Sequence, residues 1–143
     1  MKDRSDILSG EGLILQGVLR LAREMRQAAQ DGELTGSAII LLGSLYRGGA
    51  MSAVELARRE GLQPQSLSRL LARLDELGLI ERSVDPADGR RHVIAITQAG
   101  TGMFMRQIVR RRDWLADRMA ERLSAAERAA LVDAAGLMLR LAA

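Results

Sequence analysis

The sequence predicts a mainly α-helical fold that carries one small β-hairpin. Apolar residues make up 48% of the 143 residues, which is enough for a packed core and too many for a disordered chain. Only 2% of the residues are aromatic, so the core must be aliphatic, which suits helices packed on helices better than a large sheet. Apolar positions recur at helical spacing along most of the chain, and a single pair of short alternating runs interrupts them.

Arginine dominates the charge of the chain. The formal net charge is +3, and all of the 21 basic residues except Lys2 are arginines. A guanidinium group matches phosphate oxygens and guanine edges, which points to nucleic acid. A GC-rich genome, whose codons favour arginine, explains the same composition equally well, so arginine content alone does not establish DNA binding.

Several classes of protein are excluded by what the sequence lacks. The absence of cysteine excludes disulfides, thiolate zinc sites, iron–sulfur clusters and thiol redox sensing. His92 is the single histidine, so we expect no metal or other cofactor and place this residue on a strand near the base of the hairpin. No N-terminal signal peptide is evident, and the longest apolar run, Ala38–Leu42, is far shorter than the ~18 residues of a membrane span. We therefore expect a cytoplasmic protein with no membrane partner.

The N-terminal part of the chain predicts two helices. Apolar residues at helical spacing predict a first helix over residues 6–29, with Gly32 beyond its end. A second helix begins after Thr35, which can cap it, and runs to about Arg47, where Gly48-Gly49 stops it.

Two capping boxes mark the starts of later helices. In Ser52-Ala53-Val54-Glu55 and in Ser124-Ala125-Ala126-Glu127, the serine accepts a hydrogen bond from the third backbone N–H and the glutamate reaches back to the cap. The first box opens a short helix that ends at Gly61. The second opens the last helix, which follows another helix over residues 99–122.

A leucine-rich helix and a hairpin lie between these boxes. Pro64 suits the first turn of a helix that runs to Leu77, and Gln63 before it is a plausible cap. Residues 80–84 and 92–97 alternate as strands do, and the turn-rich residues 85–91 join them.

Residues 52–97 thus follow the order of a winged helix-turn-helix, whose second helix enters the major groove of DNA. The helix at 64–77 keeps its leucines on one side, and its other side is neutral or basic over the N-terminal half. An ordinary amphipathic helix with a solvated face has the same pattern. The candidate major-groove residues are Gln63, Gln65, Ser66, Ser68, Arg69 and Arg73.

The hairpin loop adds two arginines at a tight tip. Gly89 permits the turn, and Arg90 and Arg91 can enter a narrow minor groove, where negative potential is concentrated. Asp85 and Asp88 are expected to pair with an arginine or to accept from loop N–H groups. The alternative is a plain hairpin turn, in which Asp, Pro and Gly are common.

These stretches resemble the MarR family of bacterial transcription regulators. The Asp-Pro-x-Asp-Gly-Arg-Arg loop is the most specific piece, and the first 30 residues carry no distinctive motif. The similar stretches are residues 52–69, 74–82, 85–91, 96–100 and 123–128.

The resemblance implies a homodimer held by its N- and C-terminal helices, with two winged units on a pseudo-palindromic operator in double-stranded DNA. It also implies Ser66, Ser68, Arg69 and Arg73 as recognition-helix contacts and Arg90 as the wing-tip arginine. Arg91 can instead pair with Asp88 or with a phosphate. Gln63 and Gln65 stand where the family often has smaller hydroxyl residues, so the operator sequence does not carry over.

Three regions follow from this interpretation: an N-terminal dimerisation helix at 1–34, a winged helix-turn-helix at 35–99, and C-terminal dimerisation helices at 100–143. The terminal helices carry more apolar surface than one small winged unit can bury, which favours a second copy. The alternative is that the apolar residues of the C-terminal helices pack only on the first helix of the same chain. Arg106, Arg110, Arg111 and Arg112 are taken as a solvated face near acids such as Asp113 and Asp117 rather than as ligand or DNA contacts.

The sequence therefore predicts a sequence-specific DNA-binding transcription regulator that acts as a homodimeric repressor and is released by a small molecule. By resemblance, the effector is a small aromatic or lipophilic compound and Tyr46 lines its crevice, although a core tyrosine at a helix end is favoured. The alternative is a winged-helix module that binds proteins and no DNA. An enzyme is not expected, because a chain with no cysteine, one histidine and no clustered pair of acids offers no credible set of nucleophile and base.

Overall fold

A computed structural model describes residues 9–29 and 34–143, which form six helices and one antiparallel hairpin. The predicted first helix over 6–29 is a helix over Gly10–Ala28, and residues 6–8 and Gly32 lie outside the described residues. The elements are α1 (Gly10–Ala28), α2 (Gly36–Gly48), α3 (Ala53–Glu60), α4 (Pro64–Glu76), β1 (Ile80–Val84), β2 (His92–Ile96), α5 (Gln98–Arg122) and α6 (Ala125–Leu141). The mainly α fold with a hairpin wing is confirmed.

Local capping explains where these helices begin. The Thr35 hydroxyl accepts from the backbone N–H of Ala38 at 3.2 Å and opens α2. Both capping boxes form as predicted, with Ser52 opening α3 and Ser124 opening α6. Gln63 occupies the cap position of α4 but makes no side-chain cap bond, so its expected capping role is wrong. Pro64, whose ring presets a helical φ, opens α4 without that bond.

The chain divides into two compact units. One is drawn from the ranges Met1–Ala28 and Arg110–Ala143, and the other from Ala29–Val109. The second unit takes in the first part of α5 because Phe104, only 5% exposed, belongs to its core.

The core of the Ala29–Val109 unit is almost entirely aliphatic, as the composition predicts. Each of its helices contributes an apolar face, and burying that face stabilises the unit by roughly 25 cal/mol per Å². Its fully buried side chains are Leu41, Leu42, Leu45, Leu56 and Leu74. These leucines join α2, α3 and α4 around one core and thereby fix the two helices of the helix-turn-helix.

The hairpin rests on this core through its base. Ile80 pairs with Ile96 and Val84 pairs with His92 in the antiparallel register. Ile80 and Ile94 are buried. Met51, two residues before α3, forms an unpredicted isolated antiparallel bridge to Ile94, with backbone N–O distances of 3.0 and 2.8 Å, which joins the segment before α3 to β2.

The unit that contains α1 and α6 leaves much apolar surface uncovered. Neither helix has a buried residue. An almost wholly apolar cavity of about 370 Å³ lies among α1, α5 and α6. Its lining includes Val18, Leu21, Leu115, Met119, Leu131 and Met138.

Candidate nucleic-acid interface

The recognition-helix candidate α4 has two distinct faces. Leu67, Leu71 and Leu74 are 3%, 2% and 0% exposed, because their spacing places them on the side that packs into the core. The predicted contact residues Gln65, Ser66, Ser68, Arg69 and Arg73 are all exposed. The polar face of α4 is therefore available to a partner along its N-terminal half.

Ion pairs on α4 lie at its C-terminal end. Arg73 Nη1 is 3.5 Å from Glu76 Oε2, and Arg82 Nε on β1 is 4.0 Å from Asp75 Oδ2. Arg69 has no ion-pair partner within the described part of the chain. The guanidinium nearest the start of the helix is thus not neutralised by a carboxylate of the described residues, whereas that of Arg73 is paired with the solvated carboxylate of Glu76.

The wing loop is shaped by its two aspartates. Asp85 Oδ1 accepts from the N–H of Ala87 at 2.9 Å. Asp88 Oδ1 accepts from the N–H of Arg90 at 3.1 Å. The predicted structural role of both acids is confirmed, and it leaves the exposed Arg90 side chain at the tip.

Arg91 has a partner that the sequence did not suggest. Its Nη2 donates to Oε1 of Glu55 on α3, and its Nε is 4.0 Å from Asp85 Oδ2. The pKa of Glu55 is lowered, first by the hydrogen bond from the backbone N–H of Ser52 and then by the hydrogen bond from the Arg91 side chain. The bond to Glu55, followed by the charges of Glu55 and Asp85, raises the pKa of Arg91.

A basic cleft that the sequence did not suggest lies beside α3. Arg58 and Arg59, in the last turn of α3, line a cavity of about 380 Å³ together with Gly48, Met51 and Glu55. The Arg59 guanidinium occupies the space where a side chain at position 48 would begin. The sequence signal for this cleft is two consecutive arginines on the first helix of the helix-turn-helix. In such folds that helix crosses the DNA backbone.

Three other residues singled out in the sequence lie outside the recognition helix and the wing tip. His92 begins β2, as expected of a strand residue, but its pairing with Val84 places it at the outer end of the hairpin, so the expected position near the base is wrong. Tyr46 is 47% exposed and its ring centroid lies 5.3 Å from that of Phe104, so the expectation of a core tyrosine is wrong. Arg112 pairs with Asp113 at 2.9 Å in a solvated face.

Residues 9–29 and 34–143 contain no group of three or more side chains that could together hold a metal ion. No helix in those ranges is both long and apolar enough to cross a membrane.

Comparison with known proteins decides the family. The MarR family model matches residues 33–91, which include α2, α3, α4 and the hairpin loop. An uncharacterized HTH-type transcriptional regulator of Mycobacterium bovis is 35% identical over 124 residues, which cover 87% of this chain and 86% of that protein. The chain belongs to the MarR family.

Solved structures share the fold of this chain. A transcriptional regulator of Pseudomonas aeruginosa has a TM-score of 0.83 at 31% identity, with coverage of 99% of this chain and 98% of that one. Wild-type apo MarR of Escherichia coli has a TM-score of 0.81 at 22% identity, with coverage of 92% and 96%. At 22% identity, the similarity to the Escherichia coli protein shows the fold alone.

Membership in the MarR family makes this chain a DNA-binding transcription regulator and not an enzyme. Its α3, α4 and hairpin are the winged helix-turn-helix that the sequence predicted.

Proposed function

We propose that this MarR-family chain is a homodimeric repressor that binds a pseudo-palindromic operator through α4 and the wing. One observation carries the proposal. The N-terminal half of α4 is exposed and free of acidic residues, and the same winged unit also exposes Arg90 at the tip of its hairpin. The helix suits the major groove and the arginine suits the adjacent minor groove.

The contact residues proposed on α4 divide into two kinds. Glutamine and arginine can bond two atoms of adenine or guanine, so Gln65, Arg69 and Arg73 are proposed to read bases. Ser66 and Ser68 are permissive donors that suit either phosphates or bases. Gln63, at the uncapped start of the helix, lies beside backbone N–H groups that favour a phosphate.

The dimer is proposed on the apolar surface of α1 and α6. Leu13, Leu15, Leu139 and Leu141 are each 59–84% exposed, and large apolar side chains exposed in such number favour an interface with a partner. A second copy related by two-fold symmetry would cover it and would place two recognition helices on one face of the DNA. A bound dimer represses by occupying the operator.

Release by a small aromatic or lipophilic effector completes the proposal. A ligand that prefers a dimer with misplaced recognition helices weakens DNA binding by its differential affinity, commonly about 1–3 kcal/mol. The half-exposed Tyr46 ring, packed on Phe104, is the aromatic surface that supports this part.

The test is genomic footprinting followed by a salt titration on the recovered duplex. We expect protected half-sites about one helical turn apart, and affinity that falls steeply with salt because the arginines displace counterions from several phosphates. Affinity that does not change with salt, together with no protected site, would favour a winged-helix module that binds proteins. Release of the footprint by lipophilic or aromatic acids is the separate test of the effector.

A further inference from the structure

Glu55 makes two contacts that belong to different parts of the fold. Its Oε2 accepts from the backbone N–H of Ser52 at 3.0 Å, which closes the capping box of α3. Its Oε1 accepts from Arg91, 36 residues further along the chain, at the end of the wing loop. One carboxylate therefore joins the start of the helix-turn-helix to the wing.

Arg91 is held from the wing side as well. Its backbone N–H donates to the carbonyl of Asp88 at 3.0 Å, and its carbonyl accepts from Asp85 at 2.7 Å. With Asp85 also 4.0 Å from its Nε, the guanidinium lies between a carboxylate of the wing and one of α3. Arg91 is thus engaged by both partners, whereas the neighbouring Arg90 side chain is exposed.

The outer half of the wing has little else to hold it. The hairpin has only two strands, and such a hairpin is marginally stable alone in water. Ile80 and Ile94 anchor its base, whereas Val84, at the outer end of β1, is 48% exposed. Arg82 contacts Asp75 of α4 from the middle of β1. Among the hydrogen bonds and ion pairs of the described residues, the contact between Arg91 and Glu55 is the one that joins the loop to α3.

We propose that Glu55 and Arg91 form a latch that fixes the wing against α3, which makes Arg91 a positioning residue and leaves Arg90 as the DNA contact of the wing. The latch holds the wing tip and the recognition helix at one fixed relative placement before DNA arrives. It rests on the proposed use of α4 and Arg90 in DNA binding.

If the latch exists, removing the charge of Glu55 changes DNA affinity in the direction opposite to that expected from electrostatic repulsion alone. Glu55 is an acid in a DNA-binding unit, so removing its charge should strengthen binding to a polyanion if it serves no other purpose. If it holds the wing, the same change weakens binding, because the competent placement is then populated for only part of the time.

The chain offers a matched control in its second capping box. Glu127 accepts from the N–H of Ser124 at 2.7 Å as Glu55 does from Ser52. Within the described residues, no arginine is paired with Glu127. Because glutamine also closes a capping box, Glu55→Gln and Glu127→Gln both keep the cap, and only the first removes an ion pair.

The first experiment measures hydrogen exchange of residues 85–91 in the DNA-free protein. We expect faster exchange in Glu55→Gln and in Arg91→Ala, and no change in Glu127→Gln. Unchanged exchange in the first two variants overturns the latch. Since no DNA is present, this result does not depend on the proposed function.

The second experiment measures affinity for a random-sequence duplex across a salt series. We expect Glu55→Gln and Arg91→Ala each to weaken binding about fivefold, the loss expected if the competent placement falls to about a fifth. The double variant should be no weaker than either single one, since both break the same ion pair. The salt slope should not change.

Two results in the DNA experiment overturn the latch. Tighter binding by Glu55→Gln means that the acid acts only as a charge. A salt slope lowered by about 1 in Arg91→Ala means that Arg91 contacts a phosphate. Failure of the wild-type protein to bind any duplex would instead count against the proposed function, with hydrogen exchange still deciding whether the latch forms.

Discussion

A Cβ atom at Gly100 would overlap the carbonyl oxygen of Leu79. The same atom would lie 2.8 Å from Cγ1 of Ile96. Thr97 closes this junction, because its hydroxyl donates to the Gly78 carbonyl at 2.7 Å and accepts from the Gly100 N–H at 3.0 Å. The glycine thus lets the start of α5 approach the backbone between α4 and β1.

Replacing Gly100 by alanine should lower the free energy of unfolding by roughly 1–3 kcal/mol, because backbone atoms cannot move aside as a side chain can. Gly102→Ala is the control in the same helix, since its Cβ would meet only the end of Arg106 at 3.5 Å. Urea denaturation should show a loss for the first and a gain of about 0.5–1 kcal/mol for the second. Equal effects would mean that the close approach to Leu79 is not important.

Arg90→Ala should weaken DNA binding and leave the oligomeric state intact, because its side chain is exposed at the wing tip. If Arg90 neutralises a phosphate, the slope of log affinity against log salt should become shallower by about 0.9 for each phosphate that the variant no longer neutralises. Fluorescence anisotropy across a salt series measures both quantities. Arg112→Ala on α5 removes another exposed guanidinium, one assigned to a solvated face, as control, and an Arg90 variant that matches it would remove the wing from the mechanism.

Arg73→Ala should cost roughly 1–3 kcal/mol of binding on the specific operator if this residue reads a base. Its partner Glu76, 3.5 Å away, is well solvated, so the pair holds the side chain only weakly. Competition between operator and random duplex separates the two roles. An equal loss on both duplexes would show that Arg73 contacts the phosphate backbone.

Leu139→Glu should dissociate the dimer proposed above. Leu139 is 74% exposed in the single chain, and two symmetric copies would each lose roughly 1.5–3 kcal/mol of apolar burial. Sedimentation equilibrium should show a dissociation constant raised by at least about tenfold. Val54→Glu, at a residue 67% exposed on α3, is the control, and equal effects would place the interface elsewhere.

Acid should loosen the contact between the wing and α3. The lowered pKa of Glu55 means that its contribution to stability is fully present above the ordinary carboxyl pKa and is lost as pH falls through the lowered pKa. Denaturation at pH 6 and pH 3 should show a larger loss for the wild type than for Glu55→Gln. Parallel losses would indicate that other carboxylates account for the whole effect.

Local chemistry makes most of the winged unit predictable. Ser52 and Ser124 are recognisable as caps because a capping box needs only four consecutive residues, and both boxes form. The leucine spacing of α4 likewise predicts which face is buried. The expected cap at Gln63 is wrong because Pro64 opens the helix by itself.

Contacts between distant residues cannot be read from the chain. The bridge from Met51 to Ile94 and the bond from Arg91 to Glu55 join positions about forty residues apart, and neither residue type is unusual where it stands. Tyr46 is expected in the core, but its place at the end of α2 lets its ring pack on Phe104 while half of it stays in solvent.

The sequence by itself determined the order of helices and hairpin, the buried leucine stripe and the arginine-bearing loop, because each depends on spacing within a few residues. Only the tertiary structure decided which of two neighbouring arginines is engaged: Arg91 is held by Glu55, and Arg90 is exposed. The physical reason is that an ion pair depends on distance in space, which the folded core sets and the order of residues does not.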